Sequence, residues 1–128
     1  MPILNRLQAE YRPKGARFVL VYIQEAHASD RWPISSARYN DGVVVDVKAH
    51  TTLRDRVAAA RALVASRGVE LPVACDAMDD AFLRGYSPWP FRFYVLAPGM
   101  KVAYKAMPRD CTYSVAELRA KLDAIVGE

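Results

Sequence analysis

The sequence has little cysteine and little histidine, and this shortage limits the chemistry it can carry. Its two cysteines, Cys75 and Cys111, lie far apart and form no CxxC pair, so the pattern excludes a disulfide framework. A zinc site built from them with His27 and His50 would lack any close pair of ligands. We therefore expect a reducing, cytoplasmic compartment and no bound metal.

Long apolar runs and clusters of one charge are also missing. No stretch approaches the roughly 20 apolar residues of a membrane-spanning helix, and the first residues lack the pattern of a signal peptide. The chain carries 18 basic and 14 acidic residues, a net charge of +4, but the basic residues are dispersed. This pattern favours a solvated surface over a contact with nucleic acid or membrane.

What is present is typical of one globular domain covering residues 1–128. The chain has 128 residues, of which 52% are hydrophobic and 25% charged. Apolar periodicity predicts helices and strands in alternation. The predicted helices are 2–11, 52–66, 80–85 and 114–126, and the predicted strands are 17–24, 69–75, 91–97 and 100–105.

Several local signals place the ends of these elements. Thr52 with Asp55, and Ser114 with Glu117, have the spacing of helix capping pairs, and Gly68 is placed to stop the second helix. The long connection 28–49 contains a possible short strand at 43–45. Connections of this length in a compact domain are usually functional.

The most informative stretch is 18–32, FVLVYIQEAHASDRW. Its apolar start predicts a strand buried on both faces. Polar groups then follow at once: Gln24, Glu25, His27, Ser29 and Asp30. Polar residues just past the carboxyl end of a buried strand indicate a site in an open α/β sheet. The alternative is a strand that leaves the core and meets water.

Residues 22–32, YIQEAHASDRW, resemble the Tyr-Ile-Glu-Glu-Ala-His-x-Ser-Asp-Gly-Trp segment of the iodothyronine deiodinases. Further similar segments follow in the same order: HTTLRDRVAAAR (50–61), PVACDAMD (72–79), RFYVL (92–96) and YSVAEL (113–118). The resemblance covers nearly the whole chain and is therefore specific.

The resemblance implies a thioredoxin-like fold, a mixed sheet flanked by helices, with a cis proline at Pro90; without the resemblance, a trans proline that starts an edge strand is expected. It also implies that the first core strand and the selenocysteine loop lie upstream of Met1. The chain would then be the N-terminally incomplete part of a selenoprotein or of its cysteine counterpart. Strands 17–24 and 91–97 would lose their shared neighbour, so we expect a fragile or homo-oligomeric protein. Those strands would pair directly or borrow a strand from a second copy.

The function implied by the resemblance is thiol- or selenol-dependent reductive dehalogenation of an iodinated aromatic. A thiol reductant would be the co-substrate, with no other cofactor. The chain alone would be inactive or weak, because the nucleophile lies outside it. Two alternatives remain open: a peroxiredoxin-like protein that reduces peroxides, and a catalytically inactive thioredoxin-like binding module.

The resemblance assigns catalysis to Glu25 and His27, which would supply and relay a proton near the selenolate or thiolate. Both can point to the same side of the chain. The alternative is a surface glutamate and a half-buried loop histidine.

Substrate contact is assigned by the resemblance to His50, Tyr22, Arg92 and Arg109. His50 matches the histidine thought to bind the phenolic end; alternatively, it is a loop residue near a helix start. Arg92 lacks its partner glutamate, because Phe91 stands there, and Arg109 is displaced by one position. These departures put thyroid-hormone specificity in doubt.

Cys75 and Cys111 are possible redox thiols. Cys75 ends a predicted strand at the same edge as Glu25, and Cys111 precedes the last helix, whose N-terminus favours a thiolate. The pattern favours structural roles for both, Cys75 as a small apolar strand residue and Cys111 as a loop residue.

Overall fold

The computed structural model describes residues 1–33, 46–110 and 112–127 of an α/β protein. Its helices are α1 (Pro2–Tyr11), α2 (Leu53–Arg67), α3 (Ala81–Tyr86) and α4 (Val115–Val126), with a 3-10 turn at Arg12–Lys14. Its strands are β1 (Leu20–Tyr22), β2 (Val73–Cys75), β3 (Tyr94–Ala97) and β4 (Lys101–Lys105). The predicted fold class is confirmed, and no helix within these ranges is long and apolar enough to cross a membrane.

The second helix begins and ends where the sequence predicts. The Thr52 hydroxyl accepts the Asp55 backbone N–H at 3.1 Å, and the Asp55 carboxylate accepts the Thr52 N–H at 2.9 Å. This reciprocal box satisfies two of the N–H groups that a helix start leaves without partners. Gly68 adopts a left-handed φ of 57° and ends the helix.

The last helix is capped only in part as predicted. The Ser114 hydroxyl accepts the Glu117 N–H at 3.1 Å. The second bond of a capping box, from the Ser114 backbone N–H to the Glu117 carboxylate, is not formed. The Glu117 side chain instead lies against the Tyr104 hydroxyl. Burial and then the Glu117 charge raise the pKa of Tyr104. The glutamate therefore links α4 to β4 rather than completing the cap.

The strands form two separate pairs. β1 runs parallel to β2, and β3 runs antiparallel to β4 across a turn at Pro98-Gly99. Within the described residues β1 and β3 are not paired, so direct pairing of these strands, one of the two predicted outcomes, is not found. The Trp89–Pro90 peptide bond is cis, as the resemblance implies.

The strands are shorter and more exposed than predicted. The sequence predicts that strand 17–24 is buried on both faces, but β1 has three half-buried residues and Val19 is 60% exposed. In β2, Ala74 is exposed as well. Within the described residues this sheet has two strands, so each of them is an edge strand rather than a central one. The predicted strand at 43–45 lies outside the described residues.

The apolar core lies against β3. Its buried members come from α1, β3 and α4: Leu7, Tyr11, Val95, Leu118 and Leu122. Polar bonds tie α1 to the segment between α2 and β2. Asn5 donates to the Gly68 carbonyl at 2.7 Å and accepts the Glu70 N–H at 3.1 Å. Helix α1 therefore contacts both the core beneath β3 and the segment that leads into β2.

Candidate functional site

The carboxyl end of β1 carries a hydrogen-bonded pair. The Tyr22 hydroxyl donates to the Glu25 carboxylate at 2.7 Å, and both side chains are half-buried. The pair forms because the chain turns directly after β1, so that residues three apart meet. Burial first, and then the bond to Glu25, raises the pKa of Tyr22. The tyrosine therefore stays protonated and acts as a hydrogen-bond donor to the Glu25 carboxylate.

His50 joins this pair from the residues that precede α2. Its ring centroid lies 5.7 Å from that of Tyr22, at an interplanar angle of 44°. Both of its ring nitrogens are buried and have no hydrogen-bond partner in the described part of the chain. Burial and then the Arg56 charge lower the pKa of His50, against the charges of Glu25 and Asp55. The ring is therefore neutral near pH 7.

His27 has a different partner from Glu25. Its Nδ1 lies 3.1 Å from the Trp32 carbonyl oxygen, and the two rings meet edge to face at 5.3 Å. A turn at Ala28 brings them together, since the Ala28 carbonyl accepts the Trp32 N–H. No hydrogen bond joins Glu25 to His27 across the described ranges. The structure thus places both predicted catalytic residues after β1 but groups Glu25 with Tyr22 and His50.

A buried polar cluster lies beneath this site, and the sequence analysis did not predict it. Arg56, 2% exposed, donates to the carbonyls of Asp76 at 3.0 Å and Ala77 at 2.7 Å, and it lies 2.9 Å from the Asp80 carboxylate. The Asp76 carboxylate accepts two backbone N–H groups at the start of α3, both at 2.9 Å. One signal was available: Asp76 directly follows β2, at the same sheet edge as Glu25.

Of the two possible redox thiols, the structure describes one. Cys75 is half-buried and free, and it stands opposite Tyr22 in the parallel β1–β2 register. Cys111 lies outside the described residues. Within those residues no group of three or more histidine, cysteine or acidic side chains could hold a metal ion.

The two predicted substrate arginines lie with the other strand pair. Arg92 precedes β3, and its Nη1 lies 3.9 Å from the Met107 sulfur while its Nε is buried without a partner in the described residues. Arg109 is exposed in a turn closed by paired backbone bonds with Thr112. No described contact joins either arginine to Tyr22, Glu25 or His50.

The residues of this site lie on a chain that matches a known family over nearly its full length. The sequence model for iodothyronine deiodinase matches residues 1–125. The chain belongs to the iodothyronine deiodinase family. It is 38% identical over 108 residues to a thyroxine 5-deiodinase of Gallus gallus, covering 84% of this chain and 39% of that protein. It is 32% identical over 119 residues to a type I iodothyronine deiodinase of Xenopus laevis, covering 93% and 43%.

The family match confirms the resemblance seen in the motifs, and it has a defined extent. The chain spans about two-fifths of the length of these deiodinases. The matched part includes every residue of the site at the end of β1. The match to the deiodinase family therefore includes the part of the chain that carries Tyr22, Glu25, His27 and His50.

Proposed function

We propose that this deiodinase-family chain supplies the proton-donating and substrate-binding part of a reductive dehalogenase acting on iodinated aromatics. One observation carries the proposal: Tyr22, Glu25 and His50 form one half-buried group at the carboxyl end of β1. Open α/β sheets place their sites at this edge. The family match supports reductive deiodination as the chemistry of this group.

The chemistry requires a proton as well as a nucleophile. A selenolate or thiolate takes the iodine from the ring carbon, the carbon–iodine bond breaks, and the carbon gains a proton. We propose that Glu25, whose carboxyl group accepts the hydrogen bond from Tyr22, takes up and delivers that proton, and that His27 relays protons to it. Two thiols of the reductant then release iodide, leave as a disulfide and restore the nucleophile.

His50 is proposed to bind the phenolic end of the substrate. Its ring nitrogens lack partners in the described residues, and a buried unsatisfied group costs about 1–3 kcal/mol. A neutral imidazole can accept a hydrogen bond from a phenol hydroxyl, and its ring can stack on the iodinated ring. Arg92 and Arg109 are proposed to meet the other end of the substrate. Because Phe91 replaces a glutamate, we propose iodinated aromatics broadly rather than thyroid hormone.

The nucleophile is proposed to lie outside residues 1–128, in a loop that follows a strand between β1 and β3. Within the described residues β1 and β3 each have one edge without a paired strand, which supports this position. A second copy of the chain could cover these edges instead, as a homo-oligomer. A thiol reductant as the only co-substrate implies a reducing compartment, which we propose is the cytoplasm.

The test is iodide release from an iodinated phenol with a dithiol reductant. It uses the protein with its upstream reading frame, so that a selenocysteine or cysteine loop is present. We expect Glu25→Gln to lose at least about tenfold in kcat, since general acid catalysis contributes roughly 10²–10⁴-fold. The matched control is Glu70→Gln, the same change at an exposed position away from the site, which should retain full activity.

Two results would replace this proposal with its alternatives. Peroxide reduction without iodide release would indicate a peroxiredoxin-like enzyme. Neither activity, with no selenocysteine or cysteine codon upstream, would indicate a binding module. Full activity in a variant lacking both Glu25 and His27 would remove their proposed role.

A further inference from the structure

We propose that one face of the β3–β4 pair, which carries Arg92 and Lys105, binds the carboxylate of an aromatic acid. The carboxylate lies between the two cations, and the rest of the acid contacts Tyr94 and Met107. That this acid is the iodinated substrate rests on the proposed function. That a carboxylate binds here does not, and it can be measured without any reaction.

The strand register brings the four side chains to one face. Tyr94 is paired with Lys105 across the two antiparallel strands. The pairing continues past the strand ends, because a backbone hydrogen bond of 2.9 Å joins the next two residues. Side chains alternate between the faces of paired strands, so Arg92 shares a face with Tyr94, and Met107 shares it with Lys105. The contact of 3.9 Å between the Arg92 Nη1 and the Met107 sulfur agrees with this register.

The two cations are close neighbours and have no described counterion. Diagonal neighbours such as Arg92 and Lys105 stand about 7–8 Å apart on paired strands, a gap that a carboxylate can bridge. Within the described ranges neither forms an ion pair with an acidic side chain. The Arg92 Nε is buried there and has no hydrogen-bond partner. Because a buried donor without an acceptor costs free energy and like charges repel, a bound carboxylate removes both costs.

The same face offers apolar contacts for the rest of the acid. The Tyr94 ring is fixed by Tyr86, whose carbonyl accepts the Tyr94 hydroxyl and whose ring meets it edge to face at 5.3 Å. The Lys105 ammonium lies 5.7 Å from the centroid of the Tyr94 ring. Met107 is 63% exposed, and thioether sulfurs make favourable contacts with aromatic rings. An aromatic acid therefore uses this face more fully than an inorganic anion, which meets only the cations.

Helix α3 connects this face to the site at the end of β1. The backbone N–H groups of its first turn donate to Asp76 in the buried polar cluster, and its last residue, Tyr86, contacts Tyr94. The helix has six residues and is therefore about 9 Å long. Under the proposed function, the iodinated ring lies near the first end of α3 and the carboxylate near the second.

The experiment is an NMR titration of the chain with 3-phenylpropionate and with 3-phenylpropanamide, which has a neutral amide in place of the carboxylate. We expect phenylpropionate to bind saturably and to shift the backbone amides of Arg92 and Lys105 and the ring signals of Tyr94. Phenylpropanamide should bind at least about tenfold more weakly, since hydrogen bonds to charged groups are the stronger ones. Equal binding of the two probes, no saturable binding of phenylpropionate, or shifts confined to other elements would overturn the proposal.

Two variants test the contacts, and a third is the matched control. Lys105→Gln and Arg92→Gln each remove one cation, so each should weaken phenylpropionate binding at least about tenfold and leave phenylpropanamide binding unchanged. Lys101→Gln makes the same change about 13 Å away along β4 and should have little effect, because charges more than about 10 Å apart are screened in 0.1 M salt. Lys105 is exposed, so Lys105→Gln remains a test if Arg92→Gln does not fold. Unweakened binding in Lys105→Gln, or an equal loss in Lys101→Gln, would overturn the proposal.

Kinetics distinguish a failure of this proposal from a failure of the proposed function. The protein with its upstream reading frame is compared on 3-(4-hydroxy-3,5-diiodophenyl)propionate and on 2,6-diiodophenol, which lacks the carboxylate. We expect the KM of the acid to be lower by at least about tenfold, and Lys105→Gln to raise that KM with kcat unchanged. Saturable phenylpropionate binding without iodide release would remove the proposed function and keep the carboxylate site. Iodide release with equal KM values would overturn the assignment of the acid as substrate.

Discussion

The two strand pairs of this protein are held in different ways. The β3–β4 pair packs on an apolar core in which Leu7 and Tyr11 are fully buried and Val95 is 6% exposed. The β1–β2 pair has half-buried strands and is braced by a buried polar cluster around Arg56 and Asp76. The candidate site lies at the carboxyl end of β1, in the β1–β2 pair. Apolar packing therefore stabilises the β3–β4 pair, while hydrogen bonds hold the site at the end of the β1–β2 pair.

The predicted site residues are divided between the two strand pairs. Tyr22 contacts both Glu25 and His50 beside the polar cluster, whereas Arg92 and Arg109 stand on the β3–β4 side. In the proposed function, a substrate that meets both groups would extend from the end of β1 to the β3–β4 pair. The proposed intervening strand would lie at this place, so a nucleophile at its end would stand between the two groups.

The largest expected effect on stability comes from a substitution in the apolar core beside β3. Leu7→Ala removes a side chain with no exposure and leaves a cavity, which should lower the free energy of unfolding by about 2–5 kcal/mol. Denaturant unfolding measures this change. Ile3→Ala, on the same helix but 52% exposed, should change it by less than about 0.5 kcal/mol. A loss below about 1 kcal/mol for Leu7→Ala would contradict the position of the core.

A smaller loss of stability is expected from a substitution in the buried polar cluster around Arg56 and Asp76. Asp76→Ala removes a buried carboxylate that accepts the N–H groups of Phe82 and Leu83. We expect a loss of about 1.5–3 kcal/mol, because hydrogen bonds to buried charged groups are strong. Hydrogen exchange should show lost protection at those two amides in particular. Asp79→Ala, exposed and with one bond of 3.2 Å, is the control, and retained protection in Asp76→Ala would show that the cluster does not hold α3.

The helices could be predicted from the sequence because their signals are local. Thr52, Asp55 and Gly68 bound the second helix through groups only a few residues from its ends. Local geometry decides such ends, so no knowledge of the tertiary structure is needed. The candidate pair Tyr22–Glu25 is local in the same sense, although the motif drew attention to Glu25 and His27 instead.

What the sequence did not predict depends on distant parts of the chain. The extent of β1 depends on neighbouring strands, so an apolar run from Phe18 to Ile23 yields only three strand residues. A charged residue in a helix is usually solvated, so the sequence around Arg56 does not indicate its burial. Its burial depends on carbonyl groups 20 and 21 residues away, which meet it only after α2 packs beside β2.

The most direct test of the account is a titration of the chain with a diiodophenol, followed by NMR. We expect a saturable shift of the His50 ring signal, which is lost when Tyr22 is replaced by alanine and its ring contact is removed. Saturable binding that shifts the amides of β3 and β4 and leaves His50 unmoved would contradict it.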